Sequence, residues 1–447
     1  MQQFDDFFEG LDLDELKYEE KYIKNNNSQE IIKENINNVN EFMINMDYHQ
    51  INNLYESGLK KLKIIEEELN DFFVEREEII KDALRALIIG QHMFLYGPPG
   101  TGKSLLVYNL CKRIDRAKYF QWLLNKTSDP AEILGPYSIK AMEQDKFLRK
   151  TNGKLPEAHI AFIDEIWKSN EPTLNILLPL LNEKIFYNDG KAIQVPLISM
   201  FCASNEIPDD ESLHALYDRI IFRDYLGYVK DTDNKLKMFK NYVNMKKNKN
   251  EINIHTKITL EEIYAIQKKV EGIDIKEDIY LDFIKLMDSL DRSGIIVSDR
   301  RKNECLKVIQ GNALLYGRDH VVVEDFEALK NVLWNDLDDI SIIENNINKI
   351  INPYDDKVRD YVRKFNEIKE EIDYIEDKDD KIRATIEAKV SIENIVKRLD
   401  RLIQQAENNG KDIENMIKKK KYIEDYNENI MKEVLGIDLN FKADSDI

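Results

Sequence analysis

The 447-residue sequence predicts an α/β fold, in which a parallel sheet is sandwiched by helices and an all-helical region follows. A glycine-rich turn stands between a strand-like and a helix-like apolar run at residues 92–110. Three more short apolar runs, at 118–124, 159–163 and 197–203, are spaced like the strands of such a sheet. From Thr259 onward the apolar spacing is helical. Together these observations favour an α/β domain with helical additions.

The length predicts several domains, and we divide the chain into four segments. Residues 1–50 form an acidic leader, 51–230 an α/β domain with helices at its start, 231–336 an all-α domain, and 337–447 a helical hairpin or bundle. The leader is either without fixed structure or an amphipathic segment that docks on a partner or on the protein itself. Its apolar residues stand among aspartates and glutamates: Phe4, Phe7, Phe8, Leu11, Leu13 and Leu16.

Composition argues against several classes of protein. A net charge of −19 argues against broad binding to nucleic acid or to anionic membranes. The three cysteines, Cys111, Cys202 and Cys305, are far apart and match neither a zinc site nor a disulfide framework. The first residues are acidic, and no apolar run is long enough to span a membrane. We therefore expect a cytoplasmic protein without membrane insertion.

The glycine-rich turn, GPPGTGKS at residues 97–104, matches the phosphate-loop pattern G-x-x-x-x-G-K-[ST] in its required strand–turn–helix context. Glycines let successive backbone N–H groups point at phosphate oxygens, and the helix N-terminus adds partial positive charge. Lys103 reaches the β- and γ-phosphates, and the Ser104 hydroxyl is a Mg²⁺ ligand. The predicted nucleotide-binding residues are Gly97, Pro98, Pro99, Gly100, Thr101, Gly102, Lys103, Ser104 and Leu105.

A carboxylate pair, Asp164 and Glu165, follows the apolar run at 159–163. Beside a phosphate loop, such a pair is typical of a Walker B element. Asp164 is predicted to hold Mg²⁺ opposite Ser104, and Glu165 to orient or activate the attacking water. An Asp-Glu pair at a strand end is common by itself, so the prediction depends on the presence of the phosphate loop in the same chain. ATP with Mg²⁺ is the expected ligand, since no guanine-reading motif is present.

The chain resembles the AAA+ ATPases, and among them the MoxR family, especially its RavA branch. The resemblance covers about residues 60–335 and implies an AAA+ P-loop NTPase core, an all-α lid, and helical N- and C-terminal extensions. The matching segments are GPPGTGKS (97–104), SDPAEILGPYSI (128–139), GKLPEAHIAFIDEIWKS (153–169), LNILLPLLNEKIF (174–186), CASNEIP (202–208), ALYDRIIFR (215–223) and SDRR (298–301).

The resemblance implies roles for further polar residues. Asn205 matches sensor 1, which can hydrogen-bond the γ-phosphate or the attacking water. Arg219 and Arg223 lie where family members carry arginine fingers, with Arg219 slightly favoured, and either is otherwise a structural ion pair. Arg300 matches sensor 2, a residue of the lid that reports the state of the nucleotide from the lid's side of the site. The adjacent Arg301 is the alternative.

The resemblance also implies a hexameric homo-oligomer with active sites shared between subunits. The segment Lys184–Val195 reads as a hairpin and resembles an insert that faces the central pore. Family members act as chaperones on protein targets, commonly with a von Willebrand factor A (VWA)-domain partner. The small β-rich domain of the RavA branch has no clear counterpart after Trp334, and a nucleic-acid motor or a slowly hydrolysing scaffold stays an alternative.

Overall fold

The computed structural model describes residues 48–208, 211–247, 252, 254–375, 377–411 and 413–435. The predictions for the leader therefore lie outside the described residues, apart from its last three positions. The chain separates into two compact units, residues 1–340 and 341–447. No helix of the described residues is both long and apolar enough to cross a membrane.

A five-stranded parallel sheet forms the centre of the first unit. The nine strands of the described chain are β1 (Met93–Tyr96), β2 (Ile114–Asp115), β3 (Tyr119–Leu123), β4 (Ile160–Asp164), β5 (Ile185–Asn188), β6 (Lys191–Gln194), β7 (Ser199–Ser204), β8 (Phe222–Tyr225) and β9 (Ile258–Thr259). The central sheet has the order β3-β4-β7-β1-β8, and β2–β9 and β5–β6 form separate pairs. Strands β1, β4 and β7 are almost continuously apolar, as expected for a parallel sheet buried on both faces.

Helices lie before, between and after these strands. In the first unit they are α1 (Tyr48–Phe72), α2 (Glu77–Ile89), α3 (Lys103–Lys112), α4 (Pro130–Leu134), α5 (Ile139–Met142), α6 (Glu171–Asn175), α7 (Leu177–Asn182), α8 (Glu211–Tyr217), α9 (Thr232–Lys247), α10 (Leu260–Val270), α11 (Glu277–Arg292), α12 (Asp299–Leu315) and α13 (Lys330–Leu333). α14 (Asp339–Ile351) begins at the end of this unit. The prediction of an α/β core with a following helical region is confirmed.

Local sequence explains several boundaries. The Ser298 hydroxyl accepts the Arg301 N–H at 3.2 Å and caps α12, which begins at Asp299. The helical segment 171–182 is divided into α6 and α7 at Ile176. Pro179 has no N–H for the residue 175 carbonyl, which accounts for the break. Asp189 and Gly190 both have positive φ and turn the predicted β5–β6 hairpin.

The second unit continues with α15 (Pro353–Asp373), α16 (Lys378–Asn408) and α17 (Glu414–Leu435). A buried apolar cluster from all three helices holds them together, with Phe365, Leu399 and Ile423 fully buried. This arrangement is the three-helix form of the predicted tail. In its described part the unit contains no strand, in keeping with the absence of a clear β-rich domain signal.

Candidate active site

Three polar elements meet at the carboxyl edge of the sheet. β1 runs into the phosphate loop, and its last residue, Tyr96, is paired with Ser204 at the end of β7. β7 lies directly between β1 and β4, the strand that ends in Asp164. Parallel strands end at the same edge, so the loop, the Asp164–Glu165 pair and Asn205 share one location. The sequence analysis predicted each of these elements separately.

The phosphate loop is held tightly against its neighbours. The Gly97 N–H donates to the Ser204 carbonyl at 3.1 Å. A Cβ at Gly97 would lie 2.2 Å from the Leu226 carbonyl oxygen, so only glycine fits this approach. Gly102 adopts a left-handed conformation and leads directly into α3, which begins at Lys103. The loop therefore presents a helix N-terminus at the strand end, where a phosphate group is favoured.

Lys103 lies inside the loop. Its Nζ donates to the Gly97 carbonyl at 2.7 Å and to the Pro98 carbonyl at 3.1 Å. Burial lowers the pKa of this amine, whereas the nearby carboxylates of Asp164 and Glu165 raise it. A partly buried ammonium held only by carbonyl oxygens can exchange them for phosphate oxygens of opposite charge.

The Asp164–Glu165 pair is half-buried, and the backbone of Glu165 is strained. Burial raises the pKa of Asp164, whose Oδ1 accepts the Glu165 N–H at 3.0 Å. Glu165 has φ +52°, a left-handed conformation that costs energy for a glutamate. Strained residues of this kind cluster at active sites. Lys168 Nζ lies 3.2 Å from Glu165 Oε2, but without hydrogen-bond geometry, and this oxygen has no hydrogen bond among the described residues. This buried oxygen therefore has capacity for one further hydrogen bond.

The available donors fit a magnesium ion. Mg²⁺ prefers oxygen ligands and keeps several waters, with one or two carboxylates and substrate phosphates completing the shell. Asp164 and the Ser104 hydroxyl, at the start of α3, provide such oxygens at the loop. No cluster of three or more metal-ligating side chains occurs within the described part of the chain, which fits an ion held jointly with a nucleotide. Asp164 and Ser104 are the residues that would hold it.

Arg219 and Arg300 lie at the opposite, amino edge of the sheet. Arg219 precedes β8 by three residues, and its Nη1 donates to the Ala215 carbonyl at 2.5 Å. Arg300 donates to the Asn182 side chain, next to Leu181, whose carbonyl contacts His92 before β1. At about 3.3 Å per residue, the strand from His92 to Gly97 separates this edge from the loop by roughly 16 Å.

The amino-edge position changes the interpretation of Arg300. The resemblance implies that it reports nucleotide state from above, yet it does not lie over the phosphate loop of its own chain. Burial lowers the pKa of the Arg219 guanidinium, and the positive charge of Arg300 lowers it further. The Asp218 carboxylate offsets part of this effect. Because the chain's own phosphate loop is at the other edge of the sheet, neither arginine faces the nucleotide site of its own chain.

Arg223 and Arg301, the alternatives for these roles, are internal. Arg223 is 1% exposed, donates to the carbonyls of Trp334 and Tyr217, and stacks on the Tyr217 ring at 3.6 Å. Arg301 is 2% exposed and donates to the Ile220 carbonyl at 2.6 Å. Burial and these hydrogen bonds favour the structural alternative for Arg223 and count against a sensor role for Arg301. Both residues fix the helical region to the start of β8.

Alanine substitutions distinguish the buried, structural Arg223 from the partly exposed Arg219. Arg223→Ala should lower the free energy of unfolding by about 2–4 kcal/mol, because it leaves buried carbonyl oxygens without their charged donor. Chemical denaturation monitored by circular dichroism measures the loss. Arg219→Ala, the matched control on the partly exposed guanidinium, should stay close to wild type. Equal stability of the two variants would contradict a structural role for Arg223.

A segment beside the phosphate loop has no counterpart among the predictions from the sequence. Glu75 has φ +56°, and its carboxylate accepts the N–H groups of Lys230 and Asp231. Arg76 donates to the Gly227 carbonyl at 2.7 Å, and Tyr228 Oη donates to the Pro99 carbonyl at 3.4 Å. The turn between α1 and α2 thereby meets the chain leaving β8 next to the loop. In the sequence, this segment is marked by the Glu75–Arg76 pair, which stands directly before the apolar helix α2.

The fold and the site define a P-loop protein of the AAA+ class. Residues 60–268 match the family described as the MoxR domain in MoxR-vWA-beta-propeller ternary systems, and residues 260–347 match the AAA lid domain. The chain is 38% identical to the uncharacterized protein MJ0079 of Methanocaldococcus jannaschii over 319 residues, covering 71% of this chain and 82% of that protein. It is 36% identical to MJ0812 of the same organism, covering 66% and 76%. The chain belongs to the MoxR family of AAA+ ATPases.

The fold is also that of a solved structure. A crystal structure of a candidate ATPase from Cytophaga hutchinsonii matches with a TM-score of 0.55 and 20% identity. The match covers 67% of this chain and 97% of that chain. At this identity the likeness supports the fold and not a particular activity.

Proposed function

We propose that the protein hydrolyses ATP in a ring of identical subunits, each of which completes its neighbour's active site. The observation that carries this proposal is the division of the polar residues between two edges of one sheet. The phosphate loop, Asp164, Glu165 and Asn205 lie at the carboxyl edge, and the Arg219–Arg300 pair lies at the amino edge. A head-to-tail contact brings the amino edge of one subunit to the nucleotide of the next, and such contacts close into rings.

The residues then divide the work of phosphoryl transfer. The loop N–H groups and Lys103 bind the phosphates, and Asp164 with Ser104 would hold Mg²⁺, which would neutralise charge on the phosphate oxygens. Glu165 orients a water and accepts its proton, and Asn205 fixes the position of that water or of the γ-phosphate. The neighbour's Arg219 and Arg300 stabilise the negative charge that develops in the transition state. Turnover thus depends on two subunits being in contact.

Substitution of Lys103 tests whether the phosphate loop binds the nucleotide. Lys103→Ala should abolish measurable ATP binding, because it removes the ammonium that lies within the loop. Isothermal titration with ATP and Mg²⁺ measures the affinity, and Lys126→Ala, on an exposed lysine, is the control. Tight binding by the Lys103 variant would remove Lys103 from the role assigned to it.

The surface around the hairpin β5–β6 is evidence that the target is a protein. It packs against the loop Tyr137–Arg149, since Asp189 Oδ1 accepts the Phe147 N–H at 2.9 Å and Asn188 Oδ1 accepts the Arg149 N–H at 2.8 Å. Large apolar side chains of both segments are exposed to solvent: Tyr137, Ile139, Met142, Phe147 and Tyr187. An exposed apolar surface of this kind fits an unfolded or partly unfolded polypeptide.

The biological role that we propose is a chaperone-type ATPase that remodels or activates a protein target with a VWA-domain partner. The family description, which names MoxR-vWA systems, supports the partner. The segment DEIWK at 164–168 supports a position near the RavA branch. We further propose a hexamer that acts in the cytoplasm.

A trapped complex tests this role. Glu165→Gln protein with ATP, used as bait in its native host, should retain a VWA-domain protein, whereas Lys103→Ala protein should not. Mass spectrometry of the two eluates gives the comparison. Absence of a VWA-domain protein from both eluates would contradict the proposed partner, and DNA-stimulated turnover would favour the nucleic-acid motor instead.

A further inference from the structure

Helix α9 carries an exposed apolar stripe. Leu236, Phe239 and Val243 are 52%, 60% and 49% exposed and stand three and four residues apart, on one face of the helix. The opposite face is the one that packs, since Met245 is buried and Asn241 donates to the carbonyls of Asp71 and Phe72. We call the three residues the α9 stripe. Within the described residues it packs against nothing that would account for its apolar character.

Lysines border the stripe on both sides. α9 contains five lysines and one aspartate. Lys235 and Lys246 fall on one side of the stripe, and Lys240 and Lys247 on the other, from the 100° advance per residue. The fifth, Lys237, pairs with Asp71 on the packing side at 3.2 Å. An occupant of this surface therefore needs apolar side chains flanked by acidic ones.

The start of the same chain has this composition. Among its first twenty residues are eight aspartates and glutamates and one lysine. Phe4, Phe7, Phe8 and Leu11 are spaced three or four apart, the spacing that places them on one face of a helix. We propose that residues 4–16 dock on the α9 stripe of their own chain, with the aromatic residues on the stripe and the carboxylates beside the lysines.

The connection is long enough for this docking. Asn241 of α9 contacts the last residues of α1, so the start of α1 at Tyr48 is about 37 Å away, the length of a 25-residue helix. Residues 17–47 span up to about 100 Å when fully extended. Attachment in the same chain gives the segment an effective concentration on the order of millimolar, so a weak surface contact suffices.

Charge distinguishes α9 from another exposed apolar helix face. On α11, Leu281 and Ile284 are each 53% exposed, so this helix offers apolar area as well. Its sequence, however, contains five acidic and two basic residues. An acidic segment is repelled there and attracted at α9. The acidic α11 face of a second copy is the competing occupant for the α9 stripe.

Disulfide trapping in the full-length protein tests the docking. Phe7→Cys with Phe239→Cys should form an intrachain crosslink under mild oxidation, seen as a faster-migrating band on a non-reducing gel. The natural thiols do not interfere, because Cys111, Cys202 and Cys305 are buried, and burial raises the pKa of Cys111 and Cys305 to about 12. The crosslink requires neither ATP nor turnover, so its outcome is independent of the proposed ATPase function.

The matched control pairs Phe7→Cys with Ile284→Cys on α11, which should crosslink roughly tenfold more slowly. Adding Lys235→Glu and Lys240→Glu to the α9 pair should slow its crosslinking without changing the melting temperature. Equal rates for the two cysteine pairs would overturn the proposal. So would an interchain crosslink between Phe239→Cys and Ile284→Cys, which would show that a second copy occupies the stripe.

Discussion

Glu165→Gln protein should bind ATP and fail to hydrolyse it. The change keeps the size of the side chain but removes the carboxylate that accepts the water proton, and losses of such a group cost about 10²–10⁴ in rate. Lys103 and the loop N–H groups, which bind the phosphates, are untouched. Phosphate release at saturating ATP measures the rate, and isothermal titration measures the binding.

Glu271→Gln is the control for the loss of one negative charge. Glu271 lies on the surface after α10, and its replacement should leave turnover unchanged. Turnover at the wild-type rate in the Glu165 variant would refute the catalytic assignment. Loss of ATP binding would instead indicate that Glu165 maintains the shape of the phosphate loop. Its strained backbone conformation is the reason to test this alternative.

Arg219→Ala protein should also bind ATP without hydrolysing it, yet it should recover activity when mixed with Glu165→Gln protein. Removal of an arginine finger costs about 10³–10⁵ in rate. In a mixed ring, an Arg219 variant with an intact Glu165 can stand beside a Glu165 variant with an intact Arg219. One complete site then forms at that contact, and phosphate release by the mixture exceeds that of either variant alone.

The control mixture combines Arg219→Ala with Lys103→Ala protein. It should recover activity as well, because the Lys103 variant still offers its arginine to a neighbour. A mixture of Glu165→Gln and Lys103→Ala should stay inactive, since both lesions are in the same half of the site. No recovery in either Arg219 mixture would contradict a finger that acts in trans from this position.

Local patterns predict the strand ends at the carboxyl edge of the sheet, and the structure has strands ending there. The phosphate loop and the Asp164–Glu165 pair are contiguous motifs, and each motif by itself specifies a strand end. Their meeting follows from parallel strands, although the sequence did not reveal that β7 lies between β1 and β4. That order places Asn205 between the two motifs. Sheet order depends on long-range pairing, which single-sequence periodicity does not contain.

The arginines were harder to predict for the same reason. Arg219 and Arg223 are four residues apart, and each follows an aromatic residue within two positions, so spacing does not distinguish them. Only the packing of Trp334 and Tyr217 shows that one is buried and the other accessible. The location of Arg300 at the amino edge likewise depends on how α12 meets α7, a contact between residues more than one hundred positions apart.

The central claim is that each active site needs two subunits. The most direct measurement is the rate of ATP turnover per subunit as the wild-type protein is diluted through the range in which its assembly dissociates, with assembly followed by mass photometry. A shared site predicts that the rate per subunit falls together with the assembled fraction. A rate per subunit that stays constant after dissociation to monomers would contradict the account.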